Sequence, residues 1–542
     1  MSLQSEPIGS IPAETVRIAR AACPKGTLAM RLRERLGSIF EDEQFRALYP
    51  RRGQGAQAPW QLALVTLLQF VDGLTDRQAA DAVRERIDWK YALGLELSDP
   101  GFDFSVLSEF RTRLVQGQAE NLLLEALLQE CEQHGWLKAG GRQRTDSTHV
   151  VAAIRALSDL EVVGETLRAV LDDLAEVAPQ WLLVQVSPDW AERYVRRVEN
   201  YRLPKDATKR RALAEQIGAD GKLLLQAAEQ EGTPMTVRQL ASMQVLRAVW
   251  EQTYDVHEGQ VEWRAGPSIR SPYDPAARTG KKRETQWQGY KVHVTETCEQ
   301  EGVQLITHVA TTPANVTDGQ MTEPIQQDLR KLGRAPGEHI VDTGYPDAQL
   351  LLSSRERGIE LLGPVARPSS WQQRAGQGFG AEDFAIDWQR QQVTCPQGQC
   401  SRSWLCQQDP FGLPTIQVSF AAPVCKACAV RELCTQSKKG PRTLTLRPQA
   451  MHAALQQRRA EQETPQFRAR YAIRAGVEAT ISQAVRVVGL RRARYLGEAK
   501  THLQHVASAA ALNLLRLDAM FTQTPRGQTR RTRFAKLMSQ VA

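Results

Sequence analysis

Residues 289–313 read GYKVHVTETCEQEGVQLITHVATTP, two stretches of alternating apolar and polar residues separated by a polar CEQE and Gly302. Alternation with a period of two puts every second side chain on one face of an extended strand, and the short polar break predicts an antiparallel hairpin. Downstream, a helix is expected over 318–332, a short strand in EHIVDTG (338–344), a helix over 347–357 and a strand in IELLGPV (359–365). Strands interrupted by helices, with acids at strand ends, predict an α/β fold built on a mixed sheet flanked by helices.

Working outward, residues 13–135 read as helical throughout. Trp60, Leu64, Leu67, Leu68 and Val71 recur with helical period, Gly73 breaks the run, and Thr75 with Gln78 resembles a capping box opening a second helix. Helix-turn-helix geometry fits this region, with Arg84, Arg86, Arg111 and Arg113 available for a DNA backbone, although a plain helical bundle has the same pattern. Residues 155–265 are again helical, whereas 366–445 are rich in Gln, Gly, Pro and Cys and read as an insertion. The expected organisation is a helical N-terminal domain (1–135), a catalytic domain (136–520) with insertions at about 155–270 and 366–445, and a basic tail (521–542).

The chain of 542 residues is 42% hydrophobic, enough to build a core of ordinary globular density. No apolar run approaches the roughly 18 residues that span a bilayer, and the opening MSLQSEPIGSIPAE lacks a secretory pattern, so a cytoplasmic protein is expected. From Val485 to Ala542, eleven Lys or Arg (Arg486, Arg491, Arg492, Arg494, Lys500, Arg516, Arg526, Arg530, Arg531, Arg533, Lys536) face only Glu498 and Asp518. The net charge of the whole chain is +8, so this segment holds the entire excess and points to a nucleic-acid partner. A solvated helix face with a tail is the plainer account of the same charge.

Three acids stand in chemically suggestive settings: Asp146 in TDSTHV, Asp342 in HIVDTGY, and Glu478 in YAIRAGVEATISQAVR. Spacings of three and four put Tyr471, Arg474 and Glu478 on one helical stripe, where a phenol, a guanidinium and a carboxylate can hold phosphate and metal together. Each acid also has a plainer reading. Asp146 would cap a helix in HVVAAIRAL, Asp342 would be a turn residue beside Gly344, and Glu478 would be an exposed partner for Arg474. Asp318 reads as a helix start and Asp347 as an exposed turn.

On DSTHVVAAIR, GYKVHVTET, ANVTDGQM, VDTGYPDA, the cysteine insertion and RAGVEATISQAVRVVGLRRARYLGEAKTHLQHVASAAALNLLRL, the chain resembles a bacterial insertion-sequence transposase of the DDE superfamily. The resemblance runs from about residue 35 to 520 and implies a ribonuclease H-like catalytic core. It implies catalysis by Asp146, Asp342 and Glu478, which would hold two Mg²⁺ or Mn²⁺ ions, with Asp146 at the end of the first core strand. Tyr471 and Arg474 would contact transposon-end phosphates. The family's lysine, seven residues after the glutamate, is Val485 here, so its DNA contact would pass to Arg486, about 100° around the helix, or to Arg491, Arg492 and Arg494. The implied partners are double-stranded DNA, as terminal inverted repeats and target, and a second copy of the chain in a synaptic complex on the bacterial nucleoid. A transposase-derived DNA-binding regulator without catalysis is the alternative.

Five or six of the nine cysteines crowd into 395–434, and Cys395, Cys425, Cys428 and Cys434 form a C-x29-C-x2-C-x5-C array. A C-x2-C pair suits structural zinc, whereas reduced thiols packed in a loop-rich segment are the alternative. The scattered Cys23, Cys131 and Cys298 read as buried thiols.

Overall fold

The strand at the centre of the sheet is strongly polar. In the computed structural model, which describes residues 2–4, 8–155, 157–367, 370–410, 412–524 and 533–538, β1 runs Arg142–Val151. Gln143, Arg144, Thr145, Asp146, Ser147 and Thr148 on it are all buried. Such a strand survives inside a fold only if each polar group finds a partner. Gln143 bonds Arg334 O (2.7 Å) and accepts from Thr307 (2.6 Å), and Thr145 meets Thr295 and His339 (each 2.7 Å).

Around β1 the sheet is mixed. With β2 (Arg278–Lys282), β3 (Thr285–Thr297), β4 (Ile306–Pro313), β5 (Glu338–Ile340) and β6 (Glu360–Leu362), β3 pairs antiparallel with β1, β2 and β4. On the other side β1 pairs parallel with β5, and β5 with β6. The β3–β4 hairpin forms as its alternation predicts, with Tyr290, Val292 and Val294 buried. The helices that lead into β5 and β6, α1 (Asp318–Lys331) and α2 (Ala348–Glu356), also form as expected.

Beneath β4 lies a long helix, Glu498–Phe521, whose buried run from Leu503 through Leu514 is rich in alanine, which lets it sit between the sheet and the helix Pro59–Asp72. Its Asn513 donates to Ile306 O and accepts from Ile306 N (2.8 Å each), pinning the first residue of β4. At the N-terminal side, Gly73 ends Pro59–Asp72 in a left-handed turn (φ 69), and Thr75 and Gln78 form the expected capping box of Asp76–Glu85.

A second core, formed by Leu160, Val163, Leu167, Ile217, Leu246 and Trp250 among others, belongs to helices between Asp159 and Thr253. A third and smaller one, Phe384, Val393, Ile416, Val418, Phe420, Leu444 and Leu446, is the apolar cluster of the segment 384–446 among the described residues. There β7 (Ala385–Asp387) pairs with β8 (Gln392–Thr394), and β9 (Ser403–Gln408), β10 (Pro414–Ser419) and β11 (Thr443–Leu446) form a three-stranded antiparallel sheet.

Four sequence expectations need correction. The stretch 155–265 is not helical to its end, since Tyr254–His257 and Gln260–Trp263 pair as an antiparallel hairpin, and Cys23 is only half-buried where a buried thiol was expected. Asp146 is in the middle of β1, not at its end, because the strand continues to Val151 opposite Gly289 instead of turning into a helix. Of the four arginines expected to be available to DNA at the N-terminal side, Arg111 is buried against Asp76 and stacked over Tyr495 (5.0 Å), so it is spent inside the fold. Most of the tail 521–542, including Arg526, Arg530 and Arg531, lies outside the described residues, as do the side chains of Arg533 and Lys536.

Candidate active site

The parallel pairing of β1 with β5 decides where two of the acids meet. Arg142, Gln143 and Arg144 lie opposite Glu338, His339 and Ile340. The same register carried two residues further sets Asp342 beside Asp146, just past the point where β5 ends. Asp342 is held there by its own turn, its Oδ1 accepting from Gly344 N at 2.8 Å. Asp146 Oδ1 accepts from Ser147 N at 2.8 Å, and its Oδ2 accepts from Arg474.

The third segment arrives as a broken helix. Pro465–Tyr471 passes through a 3₁₀ turn, Ala472–Arg474, into α3 (Ala475–Val487), so the stripe expected on one continuous helix is interrupted. The break leaves the stripe usable. Arg474 Nη1 lies 2.7 Å from Glu478 Oε1, while its Nη2 lies 2.7 Å from Asp146 Oδ2 and 4.0 Å from Asp342 Oδ2. One guanidinium therefore touches or approaches all three acids. Its Nε is buried and lacks a hydrogen-bond partner. Burial opposes the charge on Arg474, but Asp146 and Glu478 outweigh it and hold its pKa up. Burial raises the Asp146 carboxyl against the pull of Arg474, and Asp342 raises it further. Tyr471, half-buried and stacked on Phe467 at 5.8 Å, is raised by burial and then, against Arg474, by Asp342, Asp146 and Glu478, which places it at the same cluster. Glu478 is the exposed member, with 64% of its side chain accessible.

Behind the acids stands a buried ion network absent from the sequence reading. Glu296, fully buried on β3, takes Arg144 at 2.6 Å and Arg516 at 2.9 Å and accepts from Thr480 at 2.6 Å. Arg144 also donates to Ile473 O (2.6 Å), immediately before Arg474. A Cβ at position 476 would overlap the Arg144 guanidinium, so the glycine of RAGVEAT admits this close crossing. The network ties β1, β3, α3 and the long C-terminal helix together directly under the acids. The available signal was charge at alternate positions of otherwise strand-like segments, Arg144 in GGRQRTD and Glu296 in VHVTET.

Asp318 does begin α1, as expected, but Thr317 supplies the cap. The Asp318 carboxylate instead accepts from Ser147 Oγ (3.0 Å) and pairs with Lys291 (3.2 Å), beside the first acid. Asp347 caps α2 by accepting from Leu350 N at 2.8 Å. Of the cationic candidates, Arg486 is exposed on α3, Arg491 donates to Thr148 (2.9 Å), Arg492 is exposed, and Arg494 lies over the Phe70 ring at 4.6 Å.

Among the described residues no three His, Cys, Asp or Glu side chains are arranged as a finished ion-binding group. The donor set nevertheless fits a hard divalent cation: three carboxylates supply only oxygen, and the place between them already carries positive charge.

Two family models match the chain: "Transposase DDE domain" over residues 394–518 and "Transposase domain (DUF772)" over residues 19–113. Both descriptions are of transposases, and together they support an insertion-sequence transposase of the DDE type. No curated protein matches the chain. The DDE match covers Tyr471, Arg474, Glu478 and the cysteine array, whereas Asp146 and Asp342 fall outside both matched segments. DDE transposases typically use divalent metals and act on DNA. Among the described residues no helix is long and apolar enough to cross a membrane.

Proposed function

We propose that the chain binds the terminal inverted repeats of its own insertion sequence and catalyses strand cleavage and strand transfer, with Asp146, Asp342 and Glu478 as metal ligands. The observation that carries the reading is the meeting of these three acids, from distant parts of the chain, around Arg474. The strand order β4–β3–β1–β5–β6, antiparallel across the first three and parallel thereafter, supports a ribonuclease H-like core.

Asp146 and Asp342, adjacent across β1 and β5, would hold Mg²⁺ or Mn²⁺ with Glu478 closing the set from α3. Two such ions stabilise the attacking and leaving oxygens of an in-line phosphoryl displacement. Arg474 and Tyr471 orient the scissile strand: the guanidinium exchanges its carboxylate partners for phosphate oxygens, which it can bind through two parallel N–H groups. Arg486, Arg491, Arg492 and Arg494 extend the cationic surface along the DNA backbone. The N-terminal helical region, 1–135, adds contacts to the ends, and two chains synapse two ends on the bacterial nucleoid.

Incubating end-containing DNA with the protein and Mg²⁺ tests this. Nicked and joined products from wild type, with none from Asp342→Asn, support the enzyme. Binding without cleavage under any divalent ion identifies a DNA-binding regulator instead, and cleavage without joined products a nuclease.

A further inference from the structure

The catalytic reading leaves the cysteine array unused. Cys395 follows β8 and opens the sequence CPQGQC, where Gly398, at φ +74, turns the chain back on itself. The turn is closed by Gly398 N donating to Cys395 O (2.8 Å) and Cys395 N donating to Gln399 O (2.8 Å). It also aims the Gln399 N–H at Cys395 Sγ, 3.4 Å away.

Across from this turn, Cys425 lies in the short helix Ala422–Lys426, Cys428 follows it, and Cys434 ends the helix Arg431–Cys434. All four thiols line a single cavity of about 360 Å³, together with Phe379, Phe384, Phe420 and Arg442. Burial raises the Cys434 thiol, Arg442 opposes the rise, and Cys425, Cys395 and Cys428 add to it, so the four sulfurs lie within electrostatic reach of one another. The other two cysteines of the segment stand apart. Cys400 and Cys406 are exposed, and neither lines the cavity.

We propose that Cys395, Cys425, Cys428 and Cys434 bind one Zn²⁺ as a tetrahedral tetrathiolate with no open position. The four sulfurs stand farther apart than in a finished ion-binding group, so binding requires their side chains to rotate inward from the cavity wall, and each thiol releases its proton as it ligates. The site is structural. Among the described residues the segment 384–446 buries only seven apolar side chains in its own cluster, and a core that small needs a staple. The ion joins the Cys395 turn to the two short helices at the far end of the small sheet, and its assignment is independent of the chemistry at Asp146 and Asp342.

The full chain, purified without chelator, is expected to contain one zinc, released in step with modification of four thiols and replaceable by Co²⁺ to give a tetrahedral tetrathiolate spectrum. Cys428→Ser and Cys425→Ser lose the ion and become sensitive to protease within 366–445, whereas Cys400→Ser and Cys406→Ser keep it. Should a cysteine variant fail to fold, the wild-type stoichiometry and the cobalt spectrum still decide. A chain whose cysteines all react freely with no metal bound overturns the proposal, as does a disulfide among the four, stoichiometric iron, or zinc loss in Cys400→Ser.

Discussion

The acid centre and the cysteine pocket assemble their side chains in opposite ways. The acids come from three distant segments and rest on a large core with a buried ion network beneath them, while their mutual repulsion is held down by Arg474. The cysteines lie within 395–434, on short helices and a turn over a small core, with no comparable network among their described contacts. A site supported by its scaffold can stand without its ion, whereas a site that supports its scaffold cannot. The first should therefore fail in chemistry when its ligands are changed, and the second in folding.

The largest expected effect tests the scaffold side of this contrast. Glu296→Gln leaves Arg144 and Arg516 charged without their shared carboxylate, and breaking a buried pair in this way costs about 3–5 kcal/mol. Urea unfolding of the variant should show that loss; one below about 1 kcal/mol, the scale of surface pairs, would mean the network does not support the acids. Next in size is Asp342→Asn, expected to lower end cutting by about 100-fold or more, beyond the usual cost of losing an outer-shell partner, with unfolding unchanged. Cys428→Ser should do the reverse, reducing cutting only as the folded fraction falls.

How much of this was legible beforehand depended on how far away the partners lay. The β3–β4 hairpin was readable because alternation is local, and the Tyr471, Arg474, Glu478 stripe because helical spacing is local, although the 3₁₀ turn inside it left no mark in the sequence. The polar β1 gives no local signal of a central strand, because the groups that satisfy it, Glu296, Thr307 and His339, lie elsewhere in the chain. The grouping of the acids was legible only through the family resemblance. Asp318 was read correctly as a helix start, but the direction of its carboxylate toward Ser147 and Lys291 depends on tertiary packing.

Acid should separate the two regions a third way. Burial pushes His339 from the ordinary 6.5 down to about 4, and His505 to about 3, so both are neutral in the fold. The unfolded chain takes up protons first. The core is therefore fully stable above pH 6.5 and loses stability as pH falls toward 4, by about 1.4 kcal/mol per pH unit for each histidine. His505→Gln should flatten that slope in chemical denaturation measured between pH 7 and 5. In the cysteine pocket, acid acts by protonating thiolates, so protease sensitivity within 366–445 should follow zinc release and ignore the histidine change.

The smallest effect probes what the two sites compete with. At the cysteine pocket zinc would displace only protons, but at the acid centre a divalent ion would have to displace a guanidinium that bonds Asp146 and Glu478 and lies 4.0 Å from Asp342. Arg474→Gln keeps a polar side chain of similar reach while removing the charge. Mn²⁺ binding to the DNA-free protein should then tighten by about tenfold, equivalent to about 1.4 kcal/mol, as read from free Mn²⁺ by electron paramagnetic resonance. End cutting should fall, because the phosphate contact is lost with the same guanidinium. Wild type should gain Mn²⁺ affinity when end DNA is added, since phosphate draws Arg474 away from the carboxylates, and the variant should gain little. Equal Mn²⁺ affinity in the two proteins without DNA would mean that ion and guanidinium occupy different places. If neither protein binds Mn²⁺ in a way that Asp342→Asn abolishes, the acids are not a metal site, and the enzyme reading fails while the zinc site is untouched.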